Sequence, residues 1–205
     1  MRIKALALAI LATASLSACA TNETHHASAE KKPAAQAHVS SPAKTEKKVE
    51  AVKAESKYND LYVSYRDGRA YIFYDQKGYF DFLSLGETPF QFSQIGAGPK
   101  GETLVYSLTK ADKKKRSGIP SVDMMNGKAA ADELFYGEID HEGRIYVFDS
   151  FKEMQAYMQV GEAPYRYTDI GAGPNGETVV YALQKSKKKQ KPVDMIAKFK
   201  AVHSK

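Results

Sequence analysis

The chain has a single cysteine, Cys19, in 205 residues, so no disulfide can brace it internally. It has no run approaching the roughly 20 consecutive apolar residues that a membrane-spanning helix requires. Its longest small and apolar stretch, Ala5 to Leu16, is too short and too rich in alanine. Between Ala20 and Lys57 there is no aromatic residue and no apolar periodicity. Such a segment cannot bury enough surface to offset its conformational entropy, so a disordered tether is expected there, stiffened locally by Pro33 and Pro42. The chain also lacks a nucleophile elbow, a metal-ligand cluster and a Ser/His/Asp set. His25, His26 and His38 fall in the tether, where histidines bind metals weakly and without geometry; His141 reads as part of a turn and His203 as part of a tail. No metal and no cofactor is expected. The formal charge of +6 is mildly basic and does not by itself point to nucleic acid.

The N-terminus carries Arg2 and Lys4 ahead of the Ala5 to Leu16 run, the layout of a secretory signal. At its end stands Leu16-Ser17-Ala18-Cys19, a branched apolar residue and two small residues before the only cysteine. This resembles the lipobox of bacterial lipoproteins. The resemblance implies cleavage before Cys19, lipidation of its thiol and attachment to the membrane through the N-terminal lipid; an ordinary secretory signal with a chance cysteine is the alternative. A residue other than aspartate after the cysteine, here Ala20, implies the outer membrane of a Gram-negative host, most simply facing the periplasm. That compartment disfavours a nucleic-acid partner. The expected organisation is a signal peptide over 1–18 and a tether over 19–57, followed by the folded part.

Sliding the remainder along itself reveals an internal duplication. Gly86-Glu87-Thr88-Pro89 recurs as Gly161-Glu162-Ala163-Pro164, and Ile95-Gly96-Ala97-Gly98-Pro99-Lys100-Gly101-Glu102-Thr103 as Ile170-Gly171-Ala172-Gly173-Pro174-Asn175-Gly176-Glu177-Thr178. Both pairs share an offset of 75 residues, which also aligns Gly68-Arg69 with Gly143-Arg144, Tyr71 with Tyr146, Phe73 with Phe148 and Tyr106 with Tyr181. The copies are placed at 58–116 and 132–191, with a linker over 117–131 and a basic helix or tail over 192–205.

Each copy reads as ββαββ. Leu134 to Ile139 and Arg144 to Phe148 are aromatic and β-branched runs around a turn at Asp140-His141-Glu142-Gly143; the first copy has Asp67-Gly68 there, a hairpin signal because a type I′ turn needs positive φ at both central positions. Ser150 and Glu153 have capping-box spacing, Phe151, Met154, Tyr157, Met158 and Val160 recur at helical spacing, and Gly161 stops the helix. Strands over Tyr165 to Ile170 and Glu177 to Leu183 follow, joined by the Gly-rich loop. The fold class is therefore α+β, one helix on a small antiparallel sheet in each copy. A module this small buries only a modest core, so the copies are expected to pack as one pseudo-twofold domain, two independent beads being the alternative. Val122-Asp123-Met124 echoes Val193-Asp194-Met195, so the repeating unit extends to a short C-terminal segment, continuing as a helix from about Val193 to Ala201 in the second copy.

The Gly-rich loop resembles a Walker A phosphate loop in its glycine spacing and threonine. The lysine that would neutralise phosphate charge is replaced by Glu102 and Glu177, and a strand follows instead of a helix. Two readings stay open: a tight hairpin loop retained for its turn geometry, or paired loops presenting backbone N–H groups as a recognition surface through Gly96, Gly98, Gly101 and Glu102 and through Gly171, Gly173, Gly176 and Glu177. A cell-wall hydrolase using paired carboxylates would draw on Glu87, Glu162, Asp75 or Asp149, for which local roles at helix ends are the simpler account. Lys113-Lys114-Lys115-Arg116 and Lys187-Lys188-Lys189 with Lys191 follow the last strand of each copy, either as solvated ends or facing anionic lipid or glycan. Tyr62, Tyr65, Tyr71, Tyr74 and Tyr79 crowd one stretch, as sheet core or as binding surface. The expectation is a non-catalytic, lipid-anchored envelope protein that binds an envelope protein or an anionic wall or lipopolysaccharide component; oligomeric state is left open.

Overall fold

A computed structural model describes residues 58–204; the expected signal peptide, Cys19, the expected tether and its histidines lie outside the described residues. Eight strands form one sheet in the order β3-β4-β2-β1-β5-β6-β8-β7. The strands are β1 (Asp60–Arg66), β2 (Arg69–Phe73), β3 (Gln91–Gln94), β4 (Thr103–Ser107), β5 (Tyr136–His141), β6 (Arg144–Phe148), β7 (Arg166–Asp169) and β8 (Thr178–Ala182). Between them run α1 (Gln76–Leu85), α2 (Pro120–Asp123) and α3 (Phe151–Val160), and α4 (Val193–His203) follows β8. The sheet is mixed, correcting the antiparallel expectation. Each helix crossover leads to an outer strand, β3 or β7, and the chain then inserts β4 beside β2 and β8 beside β6, both parallel. β1 and β5 join the halves, also in parallel.

Local chemistry accounts for the elements. Asp67 and Glu142 hold φ of 51° and 52°, and the glycines that follow complete two-residue turns of the kind read from Asp67-Gly68. β5 runs on through His141, so the second turn is two residues tighter than the sequence suggested. Asp75 caps α1, its carboxylate accepting from the Gly78 N–H at 2.8 Å. Ser150 occupies the matching position before α3 but makes no side-chain capping bond, so the expected capping box does not form. Gly161 ends α3 at φ 87°, where a β-carbon would be strained.

Helices cover both faces. On the front, α3 buries Met154, Tyr157 and Met158 against Leu61, Val63, Ile72 and Ile139, joined by Met124. On the back, α1 and α4 bury Tyr79, Phe82, Met195 and Phe199 against Tyr62, Phe73, Tyr136 and Val147. Successive strand residues point to opposite faces, and with both faces covered the central strands are buried along their middles, Leu61 to Ser64 and Tyr136 to Ile139. Tyr62 and Tyr79 therefore belong to the core, stacked at 4.8 Å. The segment read as linker is folded too: Ile119, Pro120, Ser121 and Met124 are buried, which places α2 and the turn after it on the sheet.

Positions 75 residues apart fall on opposite faces. Leu61, Ala70, Ile72 and Tyr106 pack on the front, while Tyr136, Ile145, Val147 and Tyr181 pack on the back. A corresponding clip ties each half. Asp112 accepts from Thr109 at 2.6 Å and from Tyr74, and pairs with Lys115 at 2.6 Å. At the matching positions Lys187 reaches Asp149 at 2.8 Å, with Gln184 on Asp149 at 3.3 Å.

Burial pushes the Asp112 carboxyl up, but the bonds from Lys115, Thr109 and Tyr74 outweigh it and hold it below the usual carboxylate range. Its folded value is the lower one, so its contribution to stability is complete above the unfolded value near 3.8 and is lost as the pH falls through the folded value. Urea titrations from pH 6 to pH 2 should show Asp112→Asn flattening this acid loss; an unchanged profile would assign the loss to other carboxylates.

Candidate functional site

The parallel pairing of β1 with β5 puts both hairpin turns at one end of the sheet. Because Arg69 pairs with Thr103 and Arg144 with Thr178, the Gly-rich loops of 95–102 and 170–177 lie in the same row. They are not adjacent: β2, β1, β5 and β6 stand between β4 and β8, on the order of 24 Å across five strand spacings.

Within each loop the glutamate serves the loop itself. Glu102 accepts from the Lys100 backbone N–H at 2.8 Å, and Glu177 from that of Asn175 at 2.8 Å and its side chain at 2.9 Å. The Gly98 N–H donates to the Glu102 carbonyl and that of Gly173 to the Glu177 carbonyl, each at 2.9 Å. A β-carbon on Gly98 or Gly173 would stand 2.4 or 2.5 Å from the folded-over carboxylate, which accounts for glycine at both places. Gly96, Gly101, Gly171 and Gly176 take positive φ at corresponding turns. Burial raises the Glu177 carboxyl, but the two bonds from Asn175 outweigh it and leave it below its ordinary value.

One cleft, of about 430 Å³, opens at this end on the front face. Tyr65 and Arg66 at the end of β1, Arg69 at the start of β2, Lys100 and Glu102 of the first loop, His141 and Glu142 of the second hairpin, and Tyr157 of α3 meet there. The Tyr65 ring lies 4.8 Å from the His141 ring, and the His141 Nδ1 is 2.9 Å from the Tyr157 hydroxyl. The Tyr65 hydroxyl is buried with no hydrogen-bond partner. Burial, reinforced by nearby Glu102, pushes its pKa well up, so it stays a neutral O–H donor. Lys100 Nζ reaches the end of α3, lying 2.8 Å from where a β-carbon on Gly161 would be. There a cation complements the helix dipole. Arg66 is committed elsewhere, over the Phe82 ring at 4.9 Å and toward Asp140 at 3.6 Å. An adjoining cleft of about 570 Å³ continues past Glu142 with Arg144, Glu162 and Arg166, and the second loop contributes only its flanks, Ile170 and Thr178.

Of the loop residues singled out from sequence, Glu102 lines the cleft, and Gly96, Gly98 and Gly101 are not part of its lining. The second loop stands apart. The carboxylates weighed for hydrolysis do not converge: Asp75 caps α1, Asp149 pairs with Lys187 at the opposite end, Glu162 lies in the adjoining cleft and Glu87 is exposed. Tyr65 is the only tyrosine of its stretch to reach the cleft; Tyr71 lies against Phe82 and Tyr74 is held by Asp112. His203 is not in a tail: it ends α4 and its Nε2 sits 3.0 Å from the buried Glu138. The signal for these residues lay in the differences between copies. His141 stands where the first copy has Arg66, Tyr157 where it has Phe82, and Glu138 where it has Val63. Comparison with protein families, curated proteins and solved structures found no match to this chain.

Proposed function

We propose that this chain is a lipid-anchored envelope protein, held at the periplasmic face of an outer membrane through Cys19, that acts by binding and not by catalysis, with the loop end of the sheet as its recognition surface. The observation that carries the reading is the Tyr65 hydroxyl, buried without a partner beside Arg69, Lys100 and His141. A buried donor left unpaired costs about 1–3 kcal/mol, and an acceptor group on a ligand would relieve that cost. Arg69 and Lys100 can meet a carboxylate of an envelope protein or wall component, beside the acidic Asp67, Glu102 and Glu142 that share the lining. The domain's origin belongs to the same proposal: two copies of one module, each extended by a terminal helix, related by a pseudo-twofold axis lying in the sheet between β1 and β5. The inversion of faces between positions 75 apart and the paired clips at Asp112 and Asp149 support it.

The test is photo-crosslinking in intact cells from a probe at Glu142, comparing the lipidated chain with Cys19→Ala and Tyr65→Phe forms. A dominant adduct, protein or glycan, lost without the anchor is expected. Tyr65→Phe should keep the wild-type Tm, since it removes an unpaired hydroxyl, and weaken capture about fivefold to tenfold. Undiminished capture by Tyr65→Phe would remove the cleft from the proposal.

A further inference from the structure

The end of the sheet opposite the loops is where the chain enters the fold and where both lysine runs leave it. Tyr62, near the start of β1, pairs with Phe73, the last residue of β2, and β4 and β8 end in the same row at Ser107 and Ala182. Residues preceding Tyr58, which lead back to Cys19, therefore join the domain at this end. The runs containing Lys110, Lys113, Lys114, Lys115 and Arg116, and Lys185, Lys187, Lys188, Lys189 and Lys191, begin three residues beyond β4 and β8. All of these cations are exposed.

Aromatic contacts fix where the runs lie. Lys113 Nζ stands over the Phe90 ring at 5.0 Å and Lys188 Nζ over the Tyr165 ring at 5.1 Å, contacts at matching positions of the two halves. Phe90 and Tyr165 precede the outer strands β3 and β7, so the cations occupy the two outer corners of this end. Lys115 and Lys187 are paired with Asp112 and Asp149; Lys114, Arg116 and Lys189 have no acidic partner among the described residues. Asp60 begins the central strand β1 between the corners, while Asp132 and Asp194 face Lys187 at the second corner. The corners, beside β3 and β7, are too far apart for one small anion, about seven strand spacings of some 4.8 Å, but a charged plane meets both at once, and the chain leading to the proposed lipid departs between them.

We infer that this basic end seats on the phosphate headgroups of an anionic bilayer, holding the recognition loops on the side away from the membrane. The inference rests on the lipid-anchor reading for what brings the domain to the bilayer. Lysines within a Debye length of an anionic surface each strengthen association about fivefold at low salt, an effect that salt screens.

The test uses the full chain purified from a bacterial host and reconstituted in vesicles of phosphatidylglycerol or of phosphatidylcholine, with lysine acetylation read by mass spectrometry. Lys113, Lys114, Lys188 and Lys189 are expected to lose reactivity severalfold on phosphatidylglycerol alone, to regain it in 0.5 M salt on the order expected for screening, and Lys100 to label equally throughout. The Lys114→Glu, Lys189→Glu double variant, altered only at exposed positions, should lose the protection of Lys113 and Lys188. Equal labelling in both vesicles, or protection centred on Lys100, would overturn the inference. The mass of the N-terminal peptide reports separately on the anchor: an unmodified Cys19 would sink the lipoprotein reading, while the lysine pattern still decides which end meets anionic lipid.

Discussion

His203→Ala is expected to cost the domain about 1–3 kcal/mol, the usual consequence of removing the hydrogen-bond partner of a buried polar group, read as a lower urea midpoint with little change in slope. Glu138 is completely buried at the back of β5, with His203 Nε2 within 3.0 and 3.2 Å of its two oxygens and the Tyr136 hydroxyl donating to it. His203 lies between the Phe199 and Phe80 rings, 4.3 and 5.0 Å away, so α4 is positioned by this contact together with its apolar face and the bonds from Gln76 to the Val202 carbonyl and from Lys198 to the Phe135 carbonyl. Alanine would leave the buried Glu138 side chain in an aromatic core with only the Tyr136 hydroxyl as a partner. Replacing both partners, Glu138→Val with His203→Leu, should recover most of the loss, since Val63 fills the corresponding place in the other half and an apolar pair needs no desolvation. A double variant as weak as His203→Ala would show that packing of the histidine ring, not its pairing with Glu138, sets the cost.

Phe82→Ala should cost about 3–5 kcal/mol, as large-to-small changes of buried aromatics do. Leu85→Ala, one turn further along α1, should change stability by less than about 0.5 kcal/mol. Phe82 is 1% exposed, against Tyr71 at 4.5 Å and Phe73 at 5.3 Å and under the Arg66 guanidinium, whereas Leu85 is 75% exposed. Tyr157→Ala, the matching change on the front face, should cost a similar amount and also open the cleft by freeing His141. Because the sites lie on opposite faces, the two losses should add within about 0.5 kcal/mol. Strong coupling between them would mean that the faces do not unfold independently of the sheet's register.

Gly98→Ala and Gly173→Ala bear on the loops. Each β-carbon meets a glutamate carboxylate and, at about 3.0 Å, that residue's own carbonyl. The carboxylate can swing away; the backbone cannot. Each variant should therefore lose about 1–2 kcal/mol, and hydrogen exchange at Lys100 or Asn175 should speed up as its acceptor leaves. A loss confined to binding, with exchange unchanged, would return the loops to the recognition surface in their own right.

Much of this was legible in the sequence because it depends on neighbours along the chain. The Asp67-Gly68 turn needs positive φ, the spacing of Phe151, Met154, Tyr157 and Met158 defines one face of a helix, and Gly161 ends it; all of these are local. The capping box at Ser150 and Glu153 has the right spacing yet fails, because the order of residues does not decide where a hydroxyl points. The tyrosines were ambiguous for another reason: alternation assigns Tyr62 and Tyr65 to opposite faces but cannot say that one face is roofed by α1 and the other left open beside a hairpin.

The sequence by itself determined the 75-residue spacing of its matching motifs, the Asp67-Gly68 turn and the helix that Gly161 ends, since each follows from local composition and backbone preference. Only the tertiary structure decided that β1 pairs with β5 in parallel. That choice sends the two halves' helices to opposite faces, brings a linker and a tail into the core, lines the loops along one end and the lysines along the other, and buries Glu138 beside His203. Strand order and direction are fixed by burying both faces at once, a requirement no single segment carries.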